Sequence, residues 1–262
     1  LFTGKRLQVA LVNLDDPFSA ELLAVLPSSV QAYTWSLHDA SAAVHATELQ
    51  FTAEGMQLTV ATPWGAGVIN STLFGSFNAS NLLAVLSTVL ACEQQQPAFN
   101  AAAVMEKAGQ LKPVTGRMEL LAGFPLAVVV DYAHTPDGLE SALKALREHF
   151  TGQIHCVFGC GGERDAGKRP LMAQIAERMA DVVTVTDDNP RNEDAQQIIA
   201  QIMAGFQQPE AAHIEHDRAQ AIAYAINTAV PGDVVLIAGK GHEQYQEKAG
   251  RKVVFSDAQQ AL

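Results

Sequence analysis

The chain has 262 residues, 48% of them hydrophobic, enough for one large domain or two ordinary ones around a real core. Its formal net charge of −11, from 17 basic and 28 acidic side chains, argues against nucleic acid as the main partner, because phosphate binding needs a basic face. The three cysteines, Cys92, Cys156 and Cys160, are odd in number and lack Cys-x-x-Cys spacing. With no signal peptide and no membrane-length apolar run, they read as buried, reduced thiols of a cytoplasmic protein with no membrane partner.

Residues 7–12 read as a strand. Asp16-Pro17 reads as a helix start, with Asp16 as N-cap and a stripe of Leu22, Leu23 and Leu26. Residues 30–35 read as a second strand. Residues 43–52 and 56–62 alternate on either side of Glu54-Gly55, which predicts a hairpin, and residues 68–74 supply a third antiparallel strand. Asn78 and Asn81, three apart and so on one face, open a helix carrying Leu82, Leu83, Val85, Leu86, Val89 and Leu90; simple N-capping is the plainer reading of the two amides. A further helix is expected over residues 98–110, after Pro97.

The texture changes at Lys112-Pro113-Val114-Thr115-Gly116-Arg117, which sets a boundary between domains of residues 1–112 and 113–262. Beyond it strands and helices alternate strictly. Strands are expected at 127–130, 154–158, 182–185, 212–214 and 234–238, with helices beginning near Thr135-Pro136, Pro170, Asp194 and Asp217. Repeated βα units imply a mostly parallel sheet covered on both faces. Ligands of such sheets collect at the carboxyl ends of the strands. Four polar loops fall there: Asp131 to His134, residues 159–169, residues 187–191, and residues 239–243.

The loop Thr186-Asp187-Asp188-Asn189-Pro190-Arg191 suits a ligand with both a carboxylate and an ammonium. Arg grips a carboxylate with two parallel hydrogen bonds and Asp accepts from an ammonium. The plainer alternative is an ordinary turn, since Asp, Asn and Pro are turn formers. Residues 162–169 nearly fit a P-loop, but Arg169 stands where the Mg²⁺-holding hydroxyl belongs, so a working P-loop is rejected. The loop still suits an anion, through Arg164, Lys168 and Arg169 at a helix start. Asp131 either binds ribose hydroxyls or caps local amides. His213 and His216 read as surface residues rather than a metal pair.

In this order, Gly116-Arg117-Met118-Glu119, Asp131-Tyr132-Ala133-His134-Thr135-Pro136-Asp137, Gly159-Cys160-Gly161-Gly162, Gly167-Lys168-Arg169-Pro170, Asp188-Asn189-Pro190-Arg191 and Gly239-Lys240-Gly241-His242-Glu243 resemble the Mur ligases of peptidoglycan synthesis. The resemblance implies an α/β fold, with a C-terminal Rossmann-like parallel-sheet domain preceded by the tail of a P-loop-type ATPase domain with an antiparallel three-stranded subsheet. It implies ATP-dependent, Mg²⁺-assisted addition of meso-diaminopimelate to UDP-N-acetylmuramoyl-L-alanyl-D-glutamate through an acyl phosphate, by a monomer in the cytoplasm. Arg164, Asp188, Asn189, Pro190, Arg191, Gly239 and Glu243 would serve diaminopimelate, and Asn78, Arg117, Asp131 and His134 would serve ATP. The family's P-loop, Mg²⁺ ligands and UDP-binding domain are expected upstream of Leu1, so the chain alone is not expected to turn over. Glu163 and Ala166 replace an expected Asp and Lys. Two rivals are a non-catalytic binder of a zwitterionic amino acid and a folylpolyglutamate-synthase-like ligase.

Overall fold

The computed structural model describes residues 7–93, 100–121 and 125–262. They form two compact units, Leu1–Lys112 and Pro113–Leu262.

The first unit contains β1 (Val9–Asn13), α1 (Ser19–Ala24), β2 (Gln31–Ser36), β3 (Val44–Thr52), β4 (Gly55–Thr62), β5 (Gly65–Ser71), α2 (Ser76–Glu93) and α3 (Ala101–Gly109). The sheet runs in chain order: β1, β2 and β3 are parallel, while β3, β4 and β5 are antiparallel. Val44, Leu58, Val60 and Ile69 of the sheet pack on Leu82, Leu83, Leu86 and Leu90 of α2 and Met105 of α3. The third antiparallel strand starts three residues before its expected place, because a two-residue loop, Pro63-Trp64, already closes between the paired Thr62 and Gly65. Asn100 caps α3 by accepting the Ala103 N–H at 3.2 Å, and the expected Pro97 lies outside the described residues.

The Asp16 expectation fails. Helix α1 starts at Ser19, with Phe18 at the N-cap. Asp16 instead closes a turn, accepting the Phe18 N–H at 2.8 Å on Oδ1, and Asn13 Oδ1 accepts the Asp15 N–H at 3.0 Å. These short side-chain-to-backbone bonds compete with the first helical turn and delay it.

The second unit contains β6 (Glu119–Leu121), β7 (Ala127–Asp131), α4 (Pro136–His149), β8 (Ile154–Phe158), α5 (Lys168–Met179), β9 (Val182–Val185), α6 (Ala195–Met203), β10 (His213–Ile214), α7 (Arg218–Thr228), β11 (Val234–Ala238), β12 (Tyr245–Lys248), β13 (Arg251–Val254) and α8 (Asp257–Ala261). The main sheet has the order β10-β9-β8-β11-β7-β6, parallel throughout except for β6, which runs against β7. Every residue of β8 and β11 is buried, as expected of central strands covered on both faces. Val128, Val130, Val157, Val235 and Ile237 pack on Ala221, Ile222 and Ala225 of α7. Thr135 caps α4, its Oγ1 accepting the Gly138 N–H at 3.2 Å, and Pro136 occupies the first turn.

Strand β6 and the β12–β13 hairpin carry no alternating apolar pattern. The hairpin turns at Ala249 (φ 49°) and Gly250 (φ 70°), a left-handed pair without the usual Asn-Gly signal. Cys156 and Cys160 are buried, and burial pushes both thiols up to about 12, whereas Cys92 is exposed, contrary to its expected burial. No helix of the described residues is long and apolar enough to cross a membrane.

Candidate functional site

Because β7, β8, β9 and β11 run parallel and side by side, their carboxyl ends share one edge of the sheet. The loops leaving those ends are bonded to one another. Gly239 donates its N–H to Asp131 O at 3.0 Å, Thr186 to Phe158 O at 2.9 Å, and Gly162 to Asn189 O at 2.9 Å.

Asn189 is 1% exposed and sits at the centre of this edge. Its Oδ1 accepts from Lys240 Nζ at 3.0 Å and from the Glu247 N–H at 2.9 Å. Its Nδ2 donates to Glu243 Oε2 at 2.9 Å, and Lys240 Nζ donates to the same oxygen at 2.9 Å. Burial works to raise the Glu243 carboxyl, but the bonds from Lys240 and Asn189 outweigh it and hold the carboxyl below its ordinary range. Asp188 is buried, with Oδ1 accepting the Asn189 N–H at 2.7 Å.

Arg191 has a left-handed backbone (φ 54°), which the hairpin supports. Its N–H donates to Glu247 O at 3.0 Å and its carbonyl accepts from the Ala249 N–H at 2.6 Å. Arg191 Nη1 donates to Gly162 O at 2.7 Å. A Cβ added to Gly161 would lie 2.9 Å from Arg191 Nη1 and 3.8 Å from Arg164 Cγ, so the Arg191 guanidinium and the aliphatic stem of Arg164 both pass beside Gly161. Beside Arg191 a cavity of about 420 Å³ opens against Pro190, Asn192 and Lys248. Its lining includes neither Arg164 nor Glu243.

The anion role expected of Arg169 is overturned. Helix α5 begins at Lys168 rather than Pro170, which turns Arg169 inward. Its guanidinium is fully buried and donates to Glu193 Oε1 at 2.6 Å, Glu193 Oε2 at 2.8 Å and Gln201 Oε1 at 2.7 Å. The one donor without a partner, Nε, is itself buried, so this ion pair presents nothing to a ligand at the surface. Lys168 Nζ donates to His134 O at 2.6 Å, and Arg164 is exposed. Bonds from Arg169 and from the Glu163 N–H hold the Glu193 carboxyl down at about 2, against an ordinary 4.5. A depressed native pKa gives stability that is complete above pH 4.5 and lost as pH falls through about 2. Acid unfolding of Glu193→Gln is therefore expected to be less steep than wild type in that window, as followed by circular dichroism. Equal slopes would remove the pair from the acid response.

Asn78 lies within the first turn of α2, not at its cap, and Nδ2 donates to Phe74 O at 2.8 Å. Asn81 Nδ2 reaches Asn78 Oδ1 at 3.3 Å, so the two do share a face. Asp131 is buried, and burial raises its carboxyl; Oδ2 accepts the Met118 N–H at 2.7 Å and Oδ1 the Ala133 N–H at 2.8 Å. Amide capping is thus one of its roles. The Tyr132 ring is surrounded by the exposed Arg117 guanidinium at 4.5 Å, the exposed His134 ring at 4.5 Å and the His242 ring at 5.5 Å.

His213 and His216 do not converge: the first stacks on Tyr224 at 3.8 Å and the second places Nδ1 2.9 Å from Asp187 Oδ1. Among the described residues no group of three or more His, Cys, Asp or Glu side chains could hold a metal ion. Sequence reasoning assigned no role to Lys240, Gln246 or Arg218, which support this edge from below. Gln246 Nε2 donates to Asp188 O at 2.8 Å, and Arg218 Nη2 to Ala238 O at 3.0 Å.

The family profile described as Mur ligase, glutamate ligase domain, matches residues 116–241, and that described as Mur ligase middle domain matches residues 1–89. The chain is 49% identical to a UDP-N-acetylmuramoyl-L-alanyl-D-glutamate–2,6-diaminopimelate ligase of Ectopseudomonas mendocina, over 98% of this chain and 52% of the relative. It is 50% identical to the protein of the same name from Xanthomonas campestris pv. campestris, over 98% of this chain and 52% of the relative. A solved structure of a ligase of that name superposes with a TM-score of 0.74 at 38% identity, over 97% of this chain and 52% of the other. A folylpolyglutamate synthase of Mycobacterium tuberculosis shares the fold at 20% identity and a TM-score of 0.67, over 88% of this chain and 52% of the other. The chain thus spans about half the length of the curated relatives it matches. Matches to two successive domains of one family, over a sheet edge built from the motifs above, lead to one conclusion: the chain belongs to the Mur ligase family.

Proposed function

We propose that the chain is part of an ATP-dependent ligase that joins meso-diaminopimelate to UDP-N-acetylmuramoyl-L-alanyl-D-glutamate. The names of its relatives support this reading, and so does the chemistry of the sheet edge. The observation that carries it is the bond from Asn189 Nδ2 to Glu243 Oε2 across neighbouring loops, with Arg191 two residues beyond Asn189 and its Nη1 on Gly162 O in the loop that carries Arg164. The two guanidiniums suit a carboxylate, and Asp188 and Glu243 suit an ammonium. Pro190 and Gly239 shape the loops that present them. In the second unit Arg117, Asp131 and His134 are assigned to the nucleotide, and in the first unit Asn78. ATP supplies a phosphoryl group to the D-glutamate γ-carboxylate. The amine of diaminopimelate then forms the C–N bond as the acyl–oxygen bond to phosphate breaks, and the amine's proton is released. The described residues offer no cluster for Mg²⁺, so no step is assigned to that ion. The partners are these small molecules, and the protein acts as a cytoplasmic monomer.

Titration calorimetry of the 262-residue chain tests the reading. Meso-diaminopimelate is expected to bind in preference to L-lysine and L-glutamate, because lysine leaves the arginines without their carboxylate. Arg191→Ala should weaken diaminopimelate by about 10- to 100-fold, the loss of a charge-assisted hydrogen-bond pair. Preference for glutamate would favour a folylpolyglutamate-type ligase, and unchanged affinity in Arg191→Ala would sink the assignment.

A further inference from the structure

Lys240 is fully buried, yet it lies in a loop that faces ligand chemistry. Its ammonium makes two contacts, one across the sheet edge to Asn189 Oδ1 at 3.0 Å, 51 residues away, and one within its own loop to Glu243 Oε2 at 2.9 Å, three residues on. The Tyr245 ring lies 5.6 Å from Nζ and closes one flank. A buried ammonium needs a charge partner, and Glu243, whose side chain is 20% exposed, is the ion paired with it.

The bonds dictate how Asn189 points. Its Oδ1 faces two donors, Lys240 Nζ and the Glu247 N–H, so flipping the amide would set an NH₂ group against an ammonium and an N–H. Asn189 Nδ2 is thereby aimed at Glu243 Oε2. That oxygen then receives two donors and is pinned, while Oε1 accepts no hydrogen bond among the described residues. A carboxylate fixed through one oxygen holds the other in a set direction.

We propose that Lys240 is a positioning residue for the amino-acid site: by pinning Asn189 and one oxygen of Glu243, it aims the free Glu243 oxygen at the distal ammonium of a diamino dicarboxylic acid. This rests on the function proposed above and extends it. Lys240 does not touch the ligand; it decides where Glu243 does.

The test uses the 262-residue chain and two ligands, meso-diaminopimelate and 2-aminopimelate, which lacks the distal amine. Wild type should bind diaminopimelate at least about tenfold more tightly in titration calorimetry. In Lys240→Met that preference should fall to about twofold or less, while affinity for 2-aminopimelate changes by less than about threefold. Lys240→Gln, which keeps one donor, should lose an intermediate share. A structural role alone would weaken both ligands equally, and that outcome, or a preference intact in both variants, overturns the proposal. Should neither variant fold, the wild type decides it by ¹⁵N NMR. The Lys240 Nζ signal should shift on adding diaminopimelate and not on adding 2-aminopimelate, and identical responses overturn it. If wild type binds neither ligand, the functional reading falls with it; if wild type discriminates and the variants do too, only the role of Lys240 falls.

Discussion

Arg218→Met is expected to lower the unfolding free energy by about 3–5 kcal/mol, the cost of stranding a buried charge. Arg218 and Asp257 both have fully buried side chains, joined by Nε to Oδ1 at 2.7 Å and Nη2 to Oδ2 at 2.8 Å. The pair ties the short α8 to α7, and its third bond, Nη2 to Ala238 O at 3.0 Å, ties both to the end of β11. Methionine fills much of the same volume, so the loss is electrostatic rather than a cavity. Arg218 Nη1 is buried without a hydrogen-bond partner, an unmet donor that already offsets part of the gain. For that reason the double variant Arg218→Met/Asp257→Leu should recover most of the loss. Urea unfolding of the three proteins measures this. A single-variant loss below about 1 kcal/mol would mean that Asp257 finds solvent once Arg218 is gone.

Gly116→Ala should cost about 2–4 kcal/mol through two separate effects. Gly116 has a left-handed backbone (φ 69°), and a Cβ there would lie 2.1 Å from His242 N and 2.3 Å from Gly241 C. Those are backbone atoms and cannot rotate away, so the loop before β6 must lift off the loop after β11. Its lift would also strain the Met118 N–H bond to Asp131 Oδ2 and the Gly116 N–H bond to Glu119 Oε2 at 2.6 Å. Gly232→Ala isolates the first effect. Its φ is 101°, but a Cβ there meets nothing within 4 Å, so only backbone strain of about 1–2 kcal/mol is expected. Urea unfolding should rank Gly116→Ala clearly below Gly232→Ala. Equal losses would show that the two loops part at no cost.

The sheet edge was legible because its cause is local. Strands β8, β9 and β11 occupy the residues expected of them, since uninterrupted apolar runs such as Val234-Val235-Leu236-Ile237-Ala238 suit only strands covered on both faces. Each run gives way to polar residues at its carboxyl end, so the positions of the loops come with the strands. Thr135-Pro136, Asp194 and Asp217 announced α4, α6 and α7 for the same reason: a cap acts on amides two or three residues away. Asp16 shows the limit of that logic, because an Asx turn spends the same carboxylate differently.

Pairings made across long stretches of chain had no signature. Nothing near Arg169 shows that Glu193 will take its guanidinium and remove it from the anion loop, and nothing near Arg218 points to Asp257, 39 residues on. The placement of β11 between β7 and β8 and the β12–β13 hairpin behind Arg191 are likewise products of packing. Sequence by itself determined the alternation of strands and helices, the family and which loops carry polar chemistry, because propensity, capping and apolar period act over a few residues. Only the tertiary structure decided which of those polar groups are spent on one another and which still face a ligand, because a buried charge must find a partner wherever the fold brings one within about 3 Å.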